Sequence, residues 1–247
     1  MKSLPTLVRR DARNMIIRPT FLFYATGFPL MMIFLLGLLS QGFYSGPMSS
    51  WDVVAVNLLL YQALLSCSMS TNSFLERTLK APNLRVLFAP VRPLDLLLSK
   101  VLASTLFCLG GFVFVFVVLE VLGVHLGPLC GLEFFGMIAA LSLASSALGL
   151  WVVCLVQDES GANMVLNLGI GILACTGGVF FSIEHFGPVA AAFARYSPFT
   201  WLREIAFKII WNGGDSMGCI ATMALSLVAA VAFLGAARAS FKTEDFV

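Results

Sequence analysis

Six stretches of this chain run for 19 residues or more without an Asp, Glu, Lys or Arg: 19–51, 53–75, 101–119, 134–157, 160–183 and 216–237. A helix rising about 1.5 Å per residue needs roughly 20 apolar residues to cross the hydrocarbon of a bilayer. Each run therefore predicts a membrane-spanning helix. Closed β-barrels are the only other structures that satisfy their backbone in lipid, and continuous apolar runs exclude their alternating pattern. The first run exceeds one span, and Gln41, Gly42, Gly46 and Pro47 mark where its helix stops. Helices are expected near 20–40, 53–74, 98–121, 133–156, 162–183 and 216–237. Only 11% of the residues are charged, against about 25% in a soluble domain, so no polar segment remains for a second folded unit. The expectation is an all-α polytopic membrane protein with six transmembrane helices, one domain over 1–247.

Basic residues orient the spans. With the N-terminus inside, Lys2, Arg9, Arg10, Arg13, Arg18, Arg77, Lys80, Arg85, Arg92, Lys100, Arg238 and Lys242 all fall on the cytoplasmic side. Only Arg195, Arg203 and Lys208 fall outside. The positive-inside rule then places both termini in the cytoplasm. The first 18 residues are too charged for a secretory n-region and lead to no A-x-A site. Leu4, Leu7, Val8, Ala12, Met15 and Ile16 instead recur at helical spacing, opposite Arg9, Arg10, Arg13 and Asn14. That pattern predicts an amphipathic helix along the inner membrane face, capped by Ser3 and set off from the first span by Pro19.

Between spans five and six, Ser197-Pro198 reads as an N-cap followed by proline at the first helical position. Phe199, Leu202, Ile205, Ala206, Ile209 and Ile210 form one apolar stripe, Glu204 and Lys208 stand at pairing distance, and Asn212-Gly213-Gly214 ends the segment. A short outer helix at the interface is expected, with Trp201 and Trp211 at headgroup level.

Much chemistry is excluded. There is no G-x-x-x-x-G-K-[ST] phosphate loop, no H-E-x-x-H and no G-x-S-x-G. His125 and His185 fall in outer loops, and the acids avoid the span centres, where ion-coupled transporters keep an ionisable group. A net charge of +2 does not suggest a nucleic-acid partner. The six cysteines lack metal-ligand spacing and mostly lie in apolar runs, so they read as small core residues. Cys130 and Cys219 both fall near the outer surface, and their pairing is left open.

One cytoplasmic segment is unusual. From Phe74 to Lys100, charged residues interleave with Leu79, Leu84, Leu87 and Phe88, and Pro90 and Pro93 interrupt it before the third span. By its residues it is either a helix that docks a soluble partner or a basic loop that fixes topology. Its motifs are Glu76-Arg77, then Leu84 to Phe88, Ala89-Pro90-Val91-Arg92, and Leu97-Leu98-Ser99-Lys100. In these it resembles the ABC-2 family, the permease subunits of a class of ATP-binding-cassette exporters. Pro188, Ser197-Pro198-Phe199-Thr200 with Arg203, and Gly177-Gly178-Val179-Phe180-Phe181 add to the resemblance, while Pro82-Asn83 stands where the family commonly has Gly-Thr.

The resemblance implies a permease, without an ATPase site of its own, working as a homodimer with two copies of a nucleotide-binding subunit. ATP and Mg would sit on that partner, and no cofactor on this chain. Glu76, Arg77, Arg85, Pro90, Val91 and Arg92 would couple the two subunits in the cytoplasmic (inner) membrane. Ser197, Pro198 and Arg203 would form the outer motif. The path would open between spans one, two and five. There the candidate pathway residues are Phe21, Tyr24 and Phe28; Asn57, Tyr61 and Gln62; and Asn163 and Asn167. Interhelical hydrogen bonding is the plainer role for the amides. Ala139, Ala140, Ser142, Ala144, Ser145, Ser146 and Gly149 on span four read as close packing. So few charges in the spans favour an amphipathic or hydrophobic cargo, with a glycan exporter as the alternative. Outside the family, a secondary transporter or a structural membrane protein also remains open.

Overall fold

The computed structural model describes residues 3–41, 49–75, 93–124, 130–180, 187, 194–211 and 216–241. Among these, all regular structure is helical: α1 (Ser3–Ile17), α2 (Pro19–Leu39), α3 (Ser50–Leu75), α4 (Pro93–Val121), α5 (Cys130–Val156), α6 (Glu159–Thr176), α7 (Pro198–Trp211) and α8 (Ser216–Ser240). Five of them, α2, α3, α4, α5 and α8, are long and apolar enough to cross a membrane.

The expected fifth span is shorter than the uncharged run that suggested it. α6 has 18 residues, about 27 Å of helix, and stops at Thr176 rather than continuing to 183. The cause is a Schellman turn. Gly178 adopts φ +70, its N–H donates to Cys175 O at 3.3 Å, and the Val179 N–H donates to Ala174 O at 3.0 Å. At its other end Asp158 caps α6, accepting from the Gly161 N–H at 2.7 Å.

α3 and α5 form the centre of the bundle, with α2, α4, α6 and α7 against α3, and α8 along α5. Small polar residues set the α3–α5 spacing. Ser70 Oγ donates to Ser146 O at 2.7 Å, Ser66 Oγ to Ser142 O at 3.1 Å, and Ser142 Oγ to Ser66 Oγ at 3.0 Å. The bare Cα of Gly149 lies where any Cβ would run into the Cys67 carbonyl. Span four is packing, as its small residues suggested.

α2 is irregular. Residues Phe23–Gly27 form a π turn in which the Phe28 N–H donates to Phe23 O. Pro29 follows and has no N–H to offer. Tyr24 O thereby loses both backbone donors within reach, a vacancy that matters below. α1 lies against α4, and the side chain of Ser3, its expected cap, is outside the described residues. Its buried stripe is Leu7, Asp11 and Met15, while Ile16 and Ile17 are exposed.

Candidate functional site

A cavity of about 350 Å³ opens between α2, α3 and α6. Tyr24 and Phe28 enter from α2. Tyr61, Gln62, Leu65, Ser68, Met69 and Asn72 enter from α3, and Asn163 and Asn167 from α6. Six of the eight expected pathway residues meet here. The other two do not. Phe21 turns the opposite way with Ala25, and its ring meets Phe107 of α4 edge to face at 6.3 Å. Asn57 shares a helical face with Tyr61, but it lies buried one turn beyond the cavity lining.

The irregular turn of α2 shapes this site. Gln62 Nε2 donates to the stranded Tyr24 O at 2.7 Å, so the π turn and Pro29 together recruit an amide from α3. Gln62 Oε1 is then buried with no partner among the described residues. Across the cavity, Asn163 Nδ2 donates to Asn72 Oδ1 at 2.6 Å and Ser68 Oγ donates to Asn167 Oδ1 at 3.1 Å. These rungs hold α6 to α3, the interhelical role expected of the amides, yet the same side chains face the cavity. Asn163 Oδ1 is a second buried acceptor with no partner among the described residues. Ser68, Asn72, Leu65 and Met69 were not anticipated. Tyr61, Leu65, Ser68 and Asn72 recur at helical spacing, and extending the Tyr61 face by three turns finds them.

Among the described residues the lining holds aromatic rings, amides, hydroxyls and apolar groups, with no carboxylate, ammonium, guanidinium or imidazole. A larger groove of about 550 Å³ lies between α2, the start of α3 and the end of α4. Leu30, Met31, Phe34, Trp51 and Leu119 make it mostly apolar, with Ser49 the one hydroxyl among its described lining residues.

The outer motif closes on the end of α6. Ser197 Oγ lies 3.3 Å from Thr176 Oγ1, and Arg203 Nη1 donates to Gly178 O at 3.2 Å. Phe199 fills the place a side chain at Gly177 would need. Pro198 opens α7, and Ser197 at its cap position uses its hydroxyl on Thr176. Phe199, Ala206, Ile209 and Ile210 are buried as the apolar stripe required. Glu204 and Lys208 make no ion pair among the described residues. The turn also delivers Phe180 onto Tyr61, rings edge to face at 5.5 Å, above the cavity. The outer motif and the cavity are thus joined through four residues of turn.

Glu76, Arg77, Arg85, Pro90, Val91 and Arg92 lie outside the described residues. Cys219 Sγ lies 3.5 Å from Glu133 O, and the side chain of Cys130 is likewise outside them.

The family model described as ABC-2 type transporter matches residues 2–211. The chain belongs to that family. It is a multi-pass membrane protein, the permease of an ABC-2 type transporter, and such permeases generally work with an ATP-binding-cassette ATPase subunit. No curated protein matches the chain.

Proposed function

We propose that this permease exports an amphipathic or hydrophobic substrate through the α2–α3–α6 cavity, driven by ATP and Mg on a separate nucleotide-binding subunit. The chain works as a homodimer in the cytoplasmic membrane as one domain, with α6 crossing as the fifth of six spans and both termini inside. The observation that carries this reading is the lining of the cavity. Aromatic and apolar walls suit the hydrophobic part of a cargo. The acceptors Gln62 Oε1 and Asn163 Oδ1, without partners among the described residues, favour one that brings hydroxyl or amide donors. Amides beside aromatic faces also suit a sugar, so a lipid-linked glycan is the second reading.

The coupling region of this proposal is segment 74–92, with Glu76, Arg77 and Arg85 facing the ATPase subunit. A charge reversal at a buried interface pair costs about 2–5 kcal/mol, roughly a 30-fold or greater loss of affinity. Arg77→Glu/Arg85→Glu should therefore lose the ATPase subunit in co-purification at matched expression.

The decisive measurement is substrate-stimulated ATPase activity of the reconstituted complex, with amphipathic compounds and with glycolipids as stimulants. Tyr61→Ala and Asn163→Ala should each raise the half-stimulating concentration about tenfold, the size of one or two lost contacts. The purified chain alone should hydrolyse no ATP above background. Stimulation unchanged in both cavity variants removes the cavity from the path, and stimulation by glycolipid alone selects the second reading.

A further inference from the structure

α1 carries one acid among its basic residues, and that acid faces inward. Leu7, Asp11 and Met15 recur at i, i+4 and i+8 and make the buried stripe against α4, while Arg9 and Arg13 are exposed. The Asp11 side chain is 1% exposed, and so is that of Lys100 on α4. Lys100 Nζ stands 3.1 Å from Asp11 Oδ1. Ser99 Oγ donates to Asp11 Oδ2 at 3.1 Å, and Arg10 Nη2 and Nε donate to Oδ1 at 2.8 and 3.1 Å. Both carboxylate oxygens are held, by donors from two helices.

Such a pair adds little net stability, because desolvating two ions offsets most of their attraction. A leucine against a methionine would bury as much apolar surface between α1 and α4, but would let α1 slide along α4. What the charges add is register. Pulling the helices apart breaks the Lys100–Asp11 ion pair and the Ser99 bond, and sliding α1 by one turn puts Leu7 or Met15 against Lys100. Only one docking of α1 on α4 is permitted. Lys100 also stands two turns after Pro93, where α4 begins directly behind segment 74–92.

We infer that Asp11 and Lys100 are positioning residues of the transport cycle, locking α1 to the start of α4 so that a push on segment 74–92 moves both helices as one body. This inference rests on the permease reading above. With the lock broken, α4 is displaced while α1 stays behind at the membrane surface, and ATP is hydrolysed without matching substrate movement.

Two measurements test it on the full chain. In nanodiscs without the ATPase subunit, hydrogen exchange across residues 3–17 should accelerate at least about tenfold in Asp11→Asn and in Lys100→Met. Lys100→Arg, which keeps the charge, should stay near wild type. In proteoliposomes with the nucleotide-binding subunit, the ATP hydrolysed per substrate moved should rise at least about fivefold in the two charge-removing variants. A purely structural role would lower the amount of complex and leave that ratio alone. Should the single variants fail to accumulate, Asp11→Leu/Lys100→Met removes both charges together. It should keep α1 protected yet still raise the ratio, because packing survives and register does not. Unchanged exchange in the single variants, or a wild-type ratio in the double, overturns the lock. A wild-type chain that recruits no ATPase subunit overturns the permease reading instead.

Discussion

Gly149 gives the sharpest test of how α3 and α5 are held together. An ideal Cβ there would stand 2.7 Å from Ser70 Oγ and closer still to the Cys67 carbonyl. Backbone cannot retract as a flexible side chain can, so Gly149→Ala must push the helices apart. The displaced contacts are the bonds from Ser70 Oγ to Ser146 O, from Thr71 Oγ1 to Gly149 O and between Ser66 and Ser142. Interhelical bonds in membranes contribute about 0.6 kcal/mol each, so losing two or three costs about 1–2 kcal/mol. Overpacking adds about 1–3 kcal/mol, and the better helix propensity of alanine returns about 1. The net is a destabilisation of about 1–4 kcal/mol.

Gly169 and Gly171 on α6 provide the control, since a Cβ at either meets nothing within 4 Å. The same substitution there should stabilise by up to about 1 kcal/mol. One chemical change thus carries opposite signs at positions that composition cannot distinguish. Denaturant titration in bicelles reads it, with Trp151 as the reporter because its ring stacks on Phe233 of α8 at 5.7 Å. Gly149→Ala as stable as Gly169→Ala would refute the close-contact account of the bundle.

Other expectations follow from single contacts. Gln62→Leu strands Tyr24 O in the π turn and should lower the unfolding free energy by about 1–2 kcal/mol in the same titration; an unchanged midpoint means water or backbone already serves that carbonyl. Arg203→Met removes the donor to Gly178 O and the guanidinium 6.0 Å from the Phe207 ring. It should cost about 1–3 kcal/mol, while Arg203→Lys recovers only part, because an ammonium lacks the planar fork. Single cysteines at positions 80 and 242 should label from the cytoplasmic side and one at 208 from outside; cytoplasmic labelling at 208 removes the proposed topology.

The spans were the most legible feature because the solvent imposes them. Hydrocarbon admits no charge cheaply, so uncharged runs had to appear wherever a helix crosses. The same signal misjudged the end of α6, because absence of charge marks where a helix is permitted, not where it stops. Gly177-Gly178 ends it, through the positive φ that Gly178 alone supplies there.

The cavity was half legible for a related reason. Amides and tyrosines stand out in an apolar helix, which brought Tyr24, Tyr61, Gln62, Asn163 and Asn167 forward together. Their rotation about each helix axis depends on neighbours, which no single span encodes. Phe21 therefore went to α4, Asn57 was buried beyond the cavity, and Ser68 and Asn72 went unnoticed on the face that Tyr61 opens.

Asp11 shows the limit most clearly. Reading α1 as apolar against basic assigned its single acid to neither side, although four residues separate it from Leu7 and from Met15 alike. An acid at that spacing is costly on an apolar face unless a cation waits opposite. Lys100 also counts among the basic residues that orient the spans. Its charge can serve orientation during insertion and Asp11 after folding. The two uses compete for no atom, which is why one residue could satisfy a sequence-level account completely and still hide a structural contact.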